Sequence, residues 1–199
     1  SRGLGDVYKR QAPLKVRLRD MLVHSDNIMA EAVGREIASA QGSPLTFEGA
    51  TSATLAVLKQ HGVDVQDAEL FDNSGMSEKN RLTAHELDGV LSHKEVRPML
   101  DMLPVSSVEG TLATRYGAGS GAEASAGWVR AKTGTLSGVN ALAGTVMTDS
   151  GRALTFAFLS NESDPNSARP ALDRLREWMD PGRYNGAILL GLHRAGGER

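Results

Sequence analysis

From Ser25 to Ala40 the apolar residues Ile28, Ala32, Val33 and Ile37 recur close to every 3.6 positions, which predicts an amphipathic helix with Ser25 or Asp26 as its N-cap. A second helix is predicted over Thr46 to His61, with Glu48 in its first turn and Gly62 placed to stop it. Asp72-Asn73-Ser74-Gly75 reads as a turn, and Thr83 with Glu86 three positions on forms a capping box opening a helix from Thr83 to Leu91. Past the glycine-rich stretch 117–121 the texture changes. Trp128 to Thr133, Asn140 to Thr148 and Ala153 to Ser160 carry β-branched and aromatic residues and read as three strands. Asp149-Ser150-Gly151 is short-hairpin chemistry and Leu136-Ser137-Gly138 can turn the chain, so the strands are expected to form an antiparallel meander. Ser167 is placed to cap a closing helix, with Pro170 in its first turn and Leu172, Leu175 and Trp178 as its buried stripe. Helices, then a meander, then a covering helix make an α+β arrangement.

Composition narrows the partners. The 199 residues are 40% apolar and 23% charged, the range of an ordinary globular domain. The net charge of -2 comes from interspersed signs without a basic stripe, so nucleic acid is not an expected partner. There is no cysteine, hence no disulfide and no thiolate metal site, and the histidines 24, 61, 85, 93 and 193 lack metal-binding spacing. Neither a metal nor a cofactor is expected. No apolar run approaches the roughly 18–20 residues that cross a bilayer. The chain opens on Ser1, and its first eleven residues show neither a signal-peptide pattern nor an amphipathic period. It reads as a fragment: residues 1–21 an N-terminal segment that is in part a cloning or sequencing scar, 22–180 the folded portion, and 181–199 a tail without structural signal.

Two short motifs carry chemistry: Ser25-Asp26-Asn27 at a helix start and Lys132-Thr133-Gly134-Thr135 at the end of a predicted strand. Taken singly they are an N-cap and a strand closed by a glycine turn. Their order and settings match two of the three motifs of penicillin-binding proteins and class A β-lactamases. Further blocks follow in order, Ser25 to Glu31, Phe71 to Ser77, Leu103-Pro104-Val105 with Gly110-Thr111-Leu112, and Val129 to Leu136. Over about Leu22 to Met179 the chain resembles the D-alanyl-D-alanine carboxypeptidase/endopeptidase family, the class C low-molecular-mass penicillin-binding proteins. β-Lactamases lack the middle blocks. Asn73 stands where that family usually has glycine, and asparagine tolerates left-handed backbone angles. The third motif is missing, because no serine in the chain is followed three positions later by lysine. In the family, inserted domains separate Ser-x-x-Lys from Ser-x-Asn, so truncation accounts for the gap.

The resemblance implies an incomplete β-lactamase/transpeptidase-like fold, an antiparallel sheet flanked by helices. It also implies an extracytoplasmic enzyme that cleaves peptidoglycan stem peptides ending in D-Ala-D-Ala and takes β-lactams as inhibitors. By the same resemblance Ser25 relays a proton to the leaving amine, Asn27 holds the substrate backbone and bridges to the catalytic lysine, and Lys132 supplies positive charge beside Ser25 and attracts the terminal carboxylate of the substrate. Thr133 and Thr135 bind the terminal carboxylate, Gly134 leaves room for an extended peptide, and the Thr135 N–H is half of an oxyanion hole. Asp26 is a cap facing away from the chemistry, while Asp72 and Ser74 organise a loop. The competing reading is a catalytically inactive module that binds wall peptide or penicillin without cutting.

Overall fold

The computed structural model describes residues 12–149 and 151–174. Helix α1 (Leu14–His24) leads directly into α2 (Asn27–Ala40), which packs against α3 (Phe47–Gln60) through a seam of small residues, Ala38, Ala50 and Ala53. The Asp26 carboxylate accepts the Met29 N–H at 2.9 Å and so starts α2. Ser25 ends α1 in the left-handed region, φ 52. Of the two caps expected for α2, Asp26 is therefore the one used. The Thr46 hydroxyl accepts from Gly49 N at 3.1 Å to open α3, and Gly62 follows its end with φ 78. Helix α4 (Ala84–Ser92) opens on the expected box, with Thr83 Oγ1 accepting from Glu86 N and the Glu86 carboxylate from Thr83 N. No element was expected over residues 14–24. There Leu14, Val16 and Leu18 alternate with Lys15, Arg17 and Arg19, a two-residue period laid over a helix.

Three short 3₁₀ turns, Arg97–Met102, Gly110–Leu112 and Glu123–Ser125, carry the chain to the sheet. Strands β1 (Val129–Leu136), β2 (Val139–Met147) and β3 (Ala153–Asn161) form an antiparallel meander in the order β1-β2-β3. The register runs Val129 opposite Val146 and Leu136 opposite Val139, then Val139 opposite Asn161 and Met147 opposite Ala153. One face carries Val129, Ala131, Leu142, Val146, Phe156 and Phe158, which join Leu112, Tyr116 and Leu172 in the main core. The other carries Ala143 and Ala157, small enough for α4 to approach with Leu87 and Leu91.

Helix α5 (Pro165–Asp173) covers the main-core face, with Ala168 and Leu172 buried. It begins earlier than the sequence suggests. Asp164, rather than Ser167, is the cap, its carboxylate accepting from Asn166 N and Ser167 N, and Pro165 takes the first helical position. Pro170 consequently lies inside the helix instead of in its first turn. Leu175 and Trp178 fall outside the described residues. The first strand also outruns expectation, since β1 continues through Gly134 to Leu136 before turning at Gly138, φ 72.

Gly144, in the middle of β2, is buried where the sheet has no room for a side chain. A Cβ there would stand 2.0 Å from Arg130 O and 2.6 Å from Ala131 Cα, both backbone atoms of the paired strand. Gly144→Ala is expected to cost about 1–3 kcal/mol, because backbone cannot swing aside as a side-chain tip can. Chemical denaturation of the two chains measures this, and an unchanged midpoint would show that β1 gives way freely.

Candidate functional site

The kink between α1 and α2 presents Ser25. Held left-handed between one helix end and the next helix start, its hydroxyl points to β1, where it accepts a hydrogen bond from Lys132 Nζ. The same ammonium donates to Thr133 O at 2.8 Å. Lys132 lies within the strand, half-buried, and not at a solvent-facing strand end as its place in the sequence suggests. Burial pushes its ammonium below the ordinary lysine value, and among the described residues no carboxylate pairs with it. Asn27, the first residue of α2, is exposed, and among the described residues its side chain makes no hydrogen bond.

The outer edge of β1 is covered only at its start. Ser106 N donates to Val129 O at 2.9 Å and Ala131 N to Pro104 O at 3.0 Å. In an antiparallel strand the N–H and C=O of alternate residues point the same way, so Thr133 and Thr135 direct theirs to that same outer edge. Beyond Ala131 no strand covers it among the described residues. Thr133 Oγ1 lies 2.7 Å from Thr111 Oγ1, and Thr135 Oγ1 accepts from the Arg169 guanidinium at 3.2 Å. Gly134 is exposed, with Ala141 Cβ 3.3 Å from where its own Cβ would stand.

This geometry coincides with a family pattern. Residues 7–180 match the model of the D-Ala-D-Ala carboxypeptidase 3 (S13) family. The chain belongs to that family. It is 49% identical over 172 residues to carboxypeptidase DacB of Mycolicibacterium smegmatis and 44% identical over 172 residues to carboxypeptidase Rv3627c of Mycobacterium tuberculosis. Each match takes in 83% of this chain and 37% of the relative, so the chain spans little more than a third of their length. Its fold is similar to penicillin binding protein 4 of Haemophilus influenzae, solved with a β-lactam, at a TM-score of 0.70 and 25% identity. That likeness covers 84% of this chain and 41% of the other. The transpeptidase-like α+β class is thereby shown.

Within this S13 chain the other motif blocks brace the site. Asp72 is buried and its carboxylate accepts from Gly75 N, Ser77 N and Asn80 Nδ2 at 2.6–2.8 Å, an Asx-type staple for the loop. The turn's left-handed residue is Gly75, φ 80, and not Asn73, so asparagine's tolerance of that region is not what keeps the turn. Glu31, one turn past Asn27, accepts from Asn73 N and Ser74 N and ties this loop to α2. The side chain of Asn73 in turn fills the space over Gly34. Leu103-Pro104-Val105 is the stretch that lies along β1. Gly110, φ 54, comes so near α1 that a Cβ would stand 2.4 Å from Val23 O.

Sequence reasoning did not assign roles to Thr111 and Arg169. Thr111 was visible as part of a block, but its partner is 22 residues away. Arg169 had no signal beyond being a basic residue on a helix that crosses the sheet.

Proposed function

We propose that this chain supplies the proton-relay and substrate-binding part of a serine-type D-alanyl-D-alanine carboxypeptidase/endopeptidase. Its substrates are peptidoglycan stem peptides ending in D-Ala-D-Ala, met outside the cytoplasm, and β-lactams are its inhibitors. Family membership supports the reaction class, and the hydrogen bond from Lys132 to Ser25 beside an open strand edge is the observation that carries the residue assignment. The nucleophile this chemistry needs is not among the 199 residues, where no serine has a lysine three positions on.

The division of labour follows from the donors and acceptors. A serine outside this chain attacks the carbonyl between the two D-alanines, and its lysine takes the hydroxyl proton. As the C–N bond breaks, Ser25 passes its proton to the departing amine and recovers one from Lys132, leaving an ester that water hydrolyses. A hydroxyl both accepts and donates, and a desolvated ammonium gives up its proton more readily than one in water. The outward N–H of Thr135 serves as one oxyanion donor, with the nucleophile's own N–H as the other. Gly134 admits an extended peptide along β1, where main-chain bonds to Thr133 and Thr135 add it as a further strand. Asn27 offers its amide to the peptide bond upstream, and Thr133 and Thr135 receive the terminal carboxylate.

The test is the product of the whole reading frame that contains these codons. It is expected to be labelled covalently by fluorescent penicillin and to release D-alanine from a stem peptide, whereas the 199-residue chain alone takes no label. Labelling of Ser25 itself would contradict its role as relay. A start codon beside Ser1, together with wall-peptide binding and no cleavage, would select the inactive binding module instead.

A further inference from the structure

Helix α1 delivers the relay serine at its end, yet it has little apolar burial to anchor it. Val23 is its one buried residue, Leu18, Met21 and Leu22 are only partly covered, and Leu14 and Val16 stand exposed. What fixes the helix is polar. Lys15 pairs with Asp101 at 2.6 Å, the Arg19 guanidinium pairs with the Glu109 carboxylate, and Val23 O lies against Gly110. These partners all belong to one stretch of chain, residues 101–110.

That same stretch is fastened to β1. Ala131 N donates to Pro104 O, Ser106 N donates to Val129 O, and Arg130 Nη1 donates to Asp101 O at 3.2 Å. Thr111 Oγ1, one residue beyond, meets Thr133 Oγ1 at 2.7 Å. Residues 101–111 therefore form a strut with α1 on one side and the strand bearing Lys132 on the other. Of the two ion pairs that tie the strut to α1, Arg19–Glu109 is nearer to Ser25 in the helix and better shielded. Its side chains are 35% and 25% exposed, against 62% and 56% for Lys15 and Asp101. A shielded pair is screened less by water and salt, which suits it to fixing a position. The Glu109 carboxylate is itself held in the strut, where it accepts from Val105 N at 3.3 Å.

We propose that Arg19 is a positioning residue for the proton relay: through Glu109 it seats the end of α1 against the strut and so holds Ser25 within reach of Lys132. The proposal rests on the peptidase reading above and adds the pair that sets the geometry of its relay. Arg19 touches neither substrate nor reacting atoms. A displacement of about 1 Å between reacting groups can nevertheless cost about 100-fold in rate. Losing the guanidinium strands no charge, because Glu109 keeps the Val105 N–H and the nearby charge of Arg130.

The test measures covalent labelling by fluorescent penicillin on the product of the whole reading frame. Arg19→Gln is expected to slow labelling about 10- to 100-fold. Its thermal midpoint should move by no more than about 4 °C, the usual scale for a partly exposed ion pair. Arg19→Lys, which can still pair with Glu109, should recover part of the rate. The deciding measurement repeats Arg19→Gln in a Lys132→Met background. With the ammonium gone there is no contact left for Arg19 to set, so the further loss should shrink to less than about threefold. The same loss in both backgrounds, a far larger fall in midpoint, or unslowed labelling of Arg19→Gln overturns the positioning role and leaves the peptidase reading standing. An unaltered gene product that takes no label overturns both.

Discussion

Replacing Lys132 by methionine is expected to cut penicillin acylation of the whole gene product by about 100- to 10,000-fold, the usual worth of a positioned proton-transfer group, without weakening the fold. Two observations separate the effects. The ammonium is bonded to the Ser25 hydroxyl, so in the proposed mechanism its loss removes the relay's proton source. It is also half-buried with no acidic partner among the described residues, so the folded state carries a cost of desolvation that methionine does not. The sign of the pH dependence follows. Burial lowers the folded-state value below 10.5, the unfolded chain keeps the ordinary one, and between the two the unfolded state holds more protons. Stability therefore rises as pH climbs from below the depressed value toward 10.5, and the burial cost is fully present at lower pH. Lys132→Met should flatten that rise. Thermal unfolding from pH 7 to 10.5, set beside penicillin labelling rates, reads both effects. Equal losses of labelling and stability would make Lys132 a structural residue.

How much of this was legible in the sequence depends on the range over which each feature is determined. The cap at Thr83, and Asp26 as one of two candidates, are settled within four residues, and sequence reading reaches them. The meander is legible for the same reason, since two short turns bring consecutive strands side by side. Helix α1 was hidden because its apolar residues follow a strand period, and its place is set by distant partners, Lys15 on Asp101 at 2.6 Å and Arg19 on Glu109. The start of α5 was misread because Asp164 and Ser167 are both good caps. Only Asp164 leaves Pro165 at a position where no N–H is needed.

The site divides along the same line. The residue types of Ser25, Asn27 and Lys132 to Thr135 announce themselves as motifs, but the sequence carries no measure of which groups meet. Gly134 looked like the end of a strand because glycine lacks a packing side chain. Its pairing with Ala141 carries the ladder past it, which sets Lys132 inside the strand and partly out of water. Thr111 and Arg169 reach Thr133 and Thr135 across 22 and 34 positions, and no local pattern encodes a contact of that span.

Arg115→Met is expected to destabilise the chain by about 3–5 kcal/mol, the largest stability effect of any single change considered, because it takes from a buried carboxylate its ion-pair partner and leaves it the Tyr116 hydroxyl and the more distant charge of Arg169. Both side chains are nearly out of solvent, 14% exposed for Arg115 and 5% for Asp173. Desolvation raises the Asp173 carboxyl above its ordinary value although Arg115 pulls it down, so the pair adds little net stability while each member depends on the other. For a carboxyl with a raised folded-state value the cost is absent below its ordinary value of 3.8 and fully present above the raised one. The deficit of Arg115→Met should accordingly shrink as pH falls through the raised value of Asp173 toward the ordinary 3.8, as the carboxyl becomes neutral. Arg115→Met combined with Asp173→Leu should recover most of the loss, since two apolar groups replace an ion pair at little cost. Because Arg115 follows Thr111 and Asp173 follows Arg169, this pair also holds the two segments that flank Thr133 and Thr135. The single variant is therefore expected to lose binding of a peptide's terminal carboxylate along with stability, and the double variant to regain both. A double variant no more stable than Arg115→Met would mean that the arginine acts through contacts other than Asp173.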